Sequence, residues 1–228
     1  MIGWNAVRGR VRVTVAAVAS LAALAASGCG SKLPEIAVVE WRLESRPAES
    51  GPAYESLSVF ASIKDEDGLD DIGEIWVLND DSALAWKLTN ADWTKAMEGA
   101  DTWVGGSAMT TPEFEGMPRG TYSLVAIDAA GQRAEREFRV SGSFPDRKAP
   151  SIAYAEGKLS IGSTWPETLA LAFDGTGALV ASPAAPALPS SLAAALGQDI
   201  ASRAAEVGAY GYDPALRMGA FSTRVKTR

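Results

Sequence analysis

Histidine is absent from this 228-residue sequence, and cysteine occurs once, at Cys29. Without histidine there is no Ser-His-Asp or Cys-His nucleophile system, no imidazole metal ligand, and none of the commonest general base. A lone cysteine makes no intrachain disulfide. Basic clusters are missing too. The formal charge is −7, from 21 Lys+Arg against 28 Asp+Glu, which argues against nucleic acid and anionic membrane surfaces as partners. Neither G-x-S-x-G, nor a P-loop, nor a Cys/His metal spacing occurs. Gly175-Thr-Gly177 lacks the third glycine of a dinucleotide loop and lies between two short strand-like runs, so it reads as a hairpin turn. What remains for catalysis is carboxylate chemistry, as many glycosidases use.

What the chain does have is a patterned start. Arg8, Arg10 and Arg12 precede an Ala/Val/Leu run from Val13 to Ala26, then Ser27, Gly28 and Cys29, with no acidic residue among them. Positive, then apolar, then small is the layout of an export signal. The 16 residues between Arg12 and Cys29 fall short of the roughly 20 a spanning helix needs. On spacing alone, a retained signal anchor and ordinary peptidase cleavage stay open. The run closing at Ala26-Ser27-Gly28-Cys29 resembles the lipobox of bacterial lipoprotein precursors, with Ala26 where that family most often has leucine. The resemblance implies that Cys29 receives a diacylglycerol and residues 1–28 are removed as a signal peptide. Residues 29–35 would then tether the fold to the cell membrane or outer membrane, outside the cytoplasm.

From there the sequence reads as strands. Val39, Trp41 and Leu43 alternate with Glu40, Arg42 and Glu44, and Leu57, Val59, Ala61 and Ile63 form the next alternating run. Ile75 to Leu78 stops at Asn79-Asp80-Asp81, three turn residues in a row. Between Ala91 and Pro118 the pattern weakens to long loops around one or two short strands. This spacing, with no helix between the runs, predicts an antiparallel β-sandwich over residues 36–141. Gly120-Thr-Tyr-Ser-Leu-Val-Ala-Ile-Asp-Ala-Ala-Gly131 resembles the last hairpin of bacterial immunoglobulin-like domains. The resemblance implies that Tyr122 is a tyrosine-corner residue bonding back to the backbone, and that Leu124 stands where antibody domains carry a cysteine.

Residues 142–151, with Pro145 and Pro150, read as a linker. Residues 152–228 predict a smaller β-rich domain with one covering helix over 190–206, whose Leu192, Leu196, Ile200 and Ala204 form an apolar stripe. The expected fold class is thus mostly β in two modules.

The sharpest polar feature is Lys64-Asp65-Glu66-Asp67-Gly68-Leu69-Asp70-Asp71. Hard cations want six to eight oxygens, so Asp65, Asp67, Asp70 and Asp71 are candidate calcium ligands, and no other cofactor is expected. Counted from Asp65, glycine comes fourth rather than sixth and Trp76 stands twelfth, so this is not an EF-hand loop. The competing reading is a solvated turn bonding its own backbone. Trp93 and Trp103 sit in loop-like sequence and are candidate platforms for a sugar ring or a protein partner, or else caps on the sandwich core. Together these features predict a non-catalytic binding or structural module. It would be held to a membrane by its N-terminal lipid and would meet a protein or glycan of the envelope. The rival is a carbohydrate-binding or glycosidase-type protein, which requires a cleft with two carboxylates about 5 to 10 Å apart beside Trp93 or Trp103.

Overall fold

Alternation sets the first strands. In the computed structural model, which describes residues 32–98, 101–114 and 116–227, β1 (Glu35–Arg46) pairs antiparallel with β2 (Tyr54–Lys64), Trp41 opposite Val59 and Leu43 opposite Leu57. Those four side chains are buried together with Ala61 and Ile63, while Glu40, Arg42, Glu44 and Arg46 take the other face of β1. The leader from Arg8 to Cys29 lies outside the described residues. Among the described residues no helix is long and apolar enough to cross a membrane.

After the acidic turn come β3 (Ile72–Asn79) and β4 (Leu84–Thr89), joined by a short 3-10 turn in which the Asn79 side chain accepts from Ser82 N. Next are β5 (Thr94–Glu98), β6 (Asp101–Met109), β7 (Gly120–Asp128) and β8 (Arg133–Val140). The segment expected to be mainly loop is therefore largely the β5/β6 hairpin, with Trp103 set on a strand. Strands β4-β3-β7-β8 form a four-stranded sheet. Its buried Ile72, Ile75, Val77, Leu124, Ala126 and Val140 meet the apolar residues of β1, β2 and β6 in one core. Each such aliphatic side chain contributes about 1.5–3 kcal/mol on burial. The fold is mostly β, as expected.

The later strands are β9 (Ser151–Ala155), β10 (Lys158–Gly162), β11 (Glu167–Phe173), β12 (Leu179–Ala181), β13 (Ser190–Ser191), β14 (Glu206–Asp213), β15 (Met218–Phe221) and β16 (Val225–Lys226). Most of them continue the first sheet. It is nine-stranded, in the order β12-β11-β14-β15-β1-β2-β6-β5, with β16 paired to β14. The join is a parallel pairing of β15 with β1. From residues 152–228, read from sequence as a separate small domain, β11, β12 and β14 to β16 share the sandwich's sheet, while β9, β10 and β13 form a separate three-stranded sheet. The 142–151 segment is extended and is fastened at several points. Arg119 Nε donates to Gly142 O (2.7 Å), Trp165 Nε1 to Lys148 O (2.9 Å) and Arg147 to the Asp213 carboxylate (2.6 Å).

The continuous helix expected over 190–206 is replaced by two short ones, α1 (Leu192–Leu196) and α2 (Gln198–Arg203). Gly197, at φ 86°, breaks the helix between them. The expected apolar stripe survives the break. Leu196 and Ala204 are buried, with Leu192 and Ile200 packed beside them, against Leu159, Ala170, Ala172 and Val207.

Candidate functional site

Because strand side chains alternate, the face of the large sheet turned away from these cores carries its own set of residues. Glu40, Arg42, Glu44, Ser58, Phe60 and Trp103 line a hollow of about 340 Å3. Arg42, Glu44 and Ser107 also line a longer hollow of about 890 Å3 that runs over Leu171, Phe173, Tyr210 and Phe221. Together they form one groove across β6, β2, β1, β15, β14 and β11.

Its chemistry is guanidinium on aromatic. Arg42 lies 4.6 Å over the Tyr212 ring, Arg46 4.3 Å over Phe221 and Arg224 3.6 Å over Phe173. Tyr210 stacks between Tyr212 and Phe221, with ring centroids 6.0 and 4.5 Å away. Burial raises the ionisation of the Tyr210 hydroxyl well above its ordinary value. Three of the groove's carboxylates are engaged. Glu44 is buried and accepts from Arg46 (2.6 Å) and Ser58 Oγ (3.0 Å), Glu40 faces Arg217 at 3.2 Å, and Glu206 faces Arg224 at 3.6 Å.

The two tryptophans proposed as platforms part company. Trp93 is buried, 7% exposed, inside the sandwich core, which removes it as a platform and agrees with the competing reading of a core cap. Its backbone N–H donates to Thr89 O at 3.0 Å at the start of the β5 hairpin. Trp103 is half-buried and lines the smaller hollow beside Glu40 and Glu44. Sequence reading missed the groove's long half, because Tyr210, Phe221 and Phe173 look like core residues and no local signal marks which face of a sheet stays uncovered.

The acidic turn lies at one end of the sandwich. Gly68, at φ 94°, and a 3-10 turn at Leu69–Asp71 fold it back on itself. This brings one carboxylate oxygen each of Asp65, Asp67 and Asp71 within 4.8 Å of one another. Asp70 departs from the expected set. Its exposed carboxylate points to Lys95 Nζ at 2.9 Å, and that hydrogen bond holds it below the usual carboxylate range. Desolvation, together with the charges of Asp128, Asp65 and Asp67, pushes the Asp71 carboxyl up. Asp128, at the end of β7, was not among the residues expected here. It is registered opposite Ile72, and the next residue, Ala129, donates its N–H to Asp71 O at 2.8 Å. The aspartate of the Gly120–Gly131 motif was its only sequence signal.

Tyr122, buried on β7, donates its hydroxyl to Pro118 O at 2.9 Å. The Asp174–Ala178 turn joins β11 to β12 as the expected hairpin, with Asp174 Oδ1 accepting from Thr176 and Ala178.

No family model matches the chain, and no curated protein matches it in sequence. Among solved structures it is similar to Tp47, the 47-kilodalton lipoprotein of Treponema pallidum, at 13% identity and a TM-score of 0.41, over 88% of this chain and 52% of that one. It is also similar to dimeric latent PorU from Porphyromonas gingivalis, at 14% identity and a TM-score of 0.34, over 86% of this chain and 20% of that one. The chain therefore spans about half of the first and a fifth of the second.

Proposed function

We propose that this protein is a lipid-anchored component of the bacterial cell envelope that binds, without catalysis, through the groove on its nine-stranded sheet. The anchor rests on the order of Arg8, Arg10 and Arg12, the apolar run, and Cys29. One observation carries the binding reading. Glu40, Glu44 and Glu206, the groove's carboxylates on β1 and β14, are each held by an arginine. A general acid or base has to exchange a proton with substrate, and a carboxylate locked as an acceptor is poorly placed for it. The same arginines, stacked on rings and fixed by carboxylates, form a preorganised polar surface that binds without reorganising.

Trp103 favours a second reading of the same groove, one that takes a sugar ring, since an aromatic face beside carboxylates and guanidinium groups suits stacking plus hydroxyl recognition. Fractionation tests the anchor. The wild-type chain is expected in the membrane pellet and Cys29→Ser in the soluble or unprocessed fraction, and unchanged pelleting overturns it. Envelope glycans passed over immobilised wild type and Trp103→Ala test the groove. Retention lost in the variant supports the sugar reading, and glycan turnover by the wild type overturns the non-catalytic one.

A further inference from the structure

Resting on the groove reading above, we propose that the ligand is an acidic glycan, whose carboxylate is held by Arg42 and the Tyr210 hydroxyl while Trp103 takes a sugar ring. Two donors in the groove lack an acceptor. Arg42 is the first. It stands between Glu40 and Glu44 on one face of β1, yet Glu40 is held by Arg217 and Glu44 by Arg46. Arg224, farther along, faces Glu206. Arg42 is exposed, lies over the Tyr212 ring and makes no ion pair among the described residues. Counting these arginines with the carboxylates they hold, one guanidinium is left over. Glu49, also on the groove, is exposed in the loop after β1 and does not pair with it.

Tyr210 is the second. It is 5% exposed, and its hydroxyl is buried with no hydrogen-bond partner. The ring is packed between Tyr212 and Phe221, and the hydroxyl rests over Gly219, where a Cβ would have no room. Arg42 and Glu44 are the charged groups felt at this hydroxyl. Arg42 can only donate, and Glu44 Oε2 accepts from Arg46 and Ser58 instead, so the phenolic proton finds no acceptor within the chain. Buried hydroxyls are ordinarily satisfied. Burial keeps this one protonated at neutral pH, and therefore a donor. Its oxygen is covered in the unliganded chain, and Arg42 beside it is the groove arginine free to follow a carboxylate in.

Two donors, one of them cationic, call for an oxygen acceptor of single negative charge. The two oxygens of a carboxylate match the guanidinium fork. A phosphomonoester carries about −1.5 to −2 at neutral pH and would want a second free cation, whereas Arg46, Arg217 and Arg224 are already held. The hollow beside Arg42 gives the rest of the ligand. Half-buried Trp103 and exposed Ser107 line it, an aromatic face for the C–H side of a sugar ring and a hydroxyl for its own hydroxyls. An acidic peptide would instead need open backbone donors and acceptors. The strands under the groove, from β2 through β1 and β15 to β14, are paired on both sides.

The test uses the full chain in detergent, with trigalacturonate, its neutral methyl ester and triglutamate as calorimetric probes. Wild type is expected to bind the uronate about tenfold or more tighter than the ester, the range for a hydrogen bond to a charged group. Arg42→Gln, at an exposed position, should fold normally and erase that preference. Tyr210→Phe should weaken uronate binding about fivefold, the worth of one neutral hydrogen bond. It removes a hydroxyl that bonds nothing in the unliganded chain, so its thermal midpoint should equal or exceed that of the wild type. A lowered midpoint overturns the role of Tyr210, because the hydroxyl would then be partnered within the fold. Acid and ester bound equally, with both lost in Trp103→Ala, overturn the acidic ligand and leave the sugar-binding groove. Uronate binding unchanged in both Arg42→Gln and Trp103→Ala overturns the inference and the groove together. No uronate binding at millimolar concentration overturns the inference alone, and triglutamate bound more tightly than the uronate overturns the glycan.

Discussion

Met218 sits opposite Leu43 in parallel register, so the second-to-last pair of strands in the sequence is joined through β15 to the first strand. This contact joins the early sandwich to residues 152–228, and Leu43 and Met218 are both almost wholly buried in the same core. Tryptophans report from both sides of the join, Trp41 on β1 and Trp165 before β11, and both belong to that core. Denaturant unfolding is therefore expected to shift both signals in one transition. Single-tryptophan variants retaining Trp41 or Trp165 would test this, and midpoints that separate would show two independently folding parts.

Gly219 lies on β15 beside the join. A methyl group there would stand 2.3 Å from the Tyr210 hydroxyl oxygen, and Tyr210 is itself packed between Tyr212 and Phe221. Gly219→Ala is expected to lower stability by about 1–3 kcal/mol, the usual range for overpacking. Gly105→Ala should cost more, since its new methyl would meet the Val59 carbonyl oxygen at 2.0 Å, a backbone group that cannot swing aside. Urea midpoints of the two variants against the wild type check the order. A Gly105→Ala chain as stable as Gly219→Ala would show that β2 and β6 can separate freely.

Glu44 offers a test of the groove as a built surface. Its carboxylate is nearly enclosed and takes bonds from Arg46 and Ser58, and Arg46 in turn bonds Ser56 and lies over Phe221. Glu44→Ala strands a part-buried guanidinium and a buried hydroxyl. A loss of roughly 1–3 kcal/mol is expected, within the range for hydrogen bonds to charged groups. Glu49→Ala, at an exposed position on the same groove, should leave the thermal midpoint unchanged.

Strand alternation in Val39–Leu43 and Leu57–Ile63, and the hairpins around Gly131 and Gly177, were legible from sequence because period and turn chemistry are local. The pairing of Met218 with Leu43 was not, since nothing near either residue specifies a partner so far along the chain. The helix break at Gly197 had a signal, a glycine inside an apolar stripe, but the stripe runs on past the break and masked it. At the acidic turn, composition named all three of the clustered aspartates, Asp65, Asp67 and Asp71. It could not show that Asp70 turns outward to Lys95 or that the end of β7 lies against the turn, because both depend on the packing of β7 and β5. Trp93 could be read either way for the same reason. Its polar neighbours suggested exposure, while the hairpin that follows turns it into the core.

Tyr122 ties the start of β7 to the chain four residues back. Tyr122→Phe keeps the ring, which stacks between Trp86 and Phe138 at 6.5 and 5.5 Å, and removes only the bond to Pro118 O. About 0.5–1.5 kcal/mol of stability is expected to go with it at neutral pH. The hydroxyl also carries a pH signature. Burial pushes its ionisation up from 10.0 to about 12. The folded state thus holds this proton more tightly than the unfolded state, so its contribution is full below pH 10 and is lost as pH rises toward about 12. Wild type and variant should converge in stability across that window, measured by denaturant midpoint from pH 8 to 12. A constant gap would assign the effect to the ring rather than to the hydroxyl.

Asp213 works in the opposite direction, at the segment once read as a free linker. Its Oδ2 accepts from Arg147 at 2.6 Å and its Oδ1 caps the turn through Ala215 N and Leu216 N. The Arg147 hydrogen bond, above all, holds the Asp213 carboxyl below the ordinary carboxylate value of 3.8. A carboxyl with a depressed folded value stabilises the fold above the unfolded value and loses that contribution as pH falls through the folded one. Acid should therefore loosen residues 142–151 before it unfolds the core. Asp213→Asn keeps an oxygen for the turn but removes the charge facing Arg147. The variant is expected to be less stable than the wild type at pH 7, with the gap closing as pH falls below 3.8. Limited proteolysis supplies the local readout, with cleavage after Arg147 or Lys148 rising in the variant at neutral pH. If that site stays protected in both chains while Tm falls, Asp213 acts through its turn and not by pinning the extended segment.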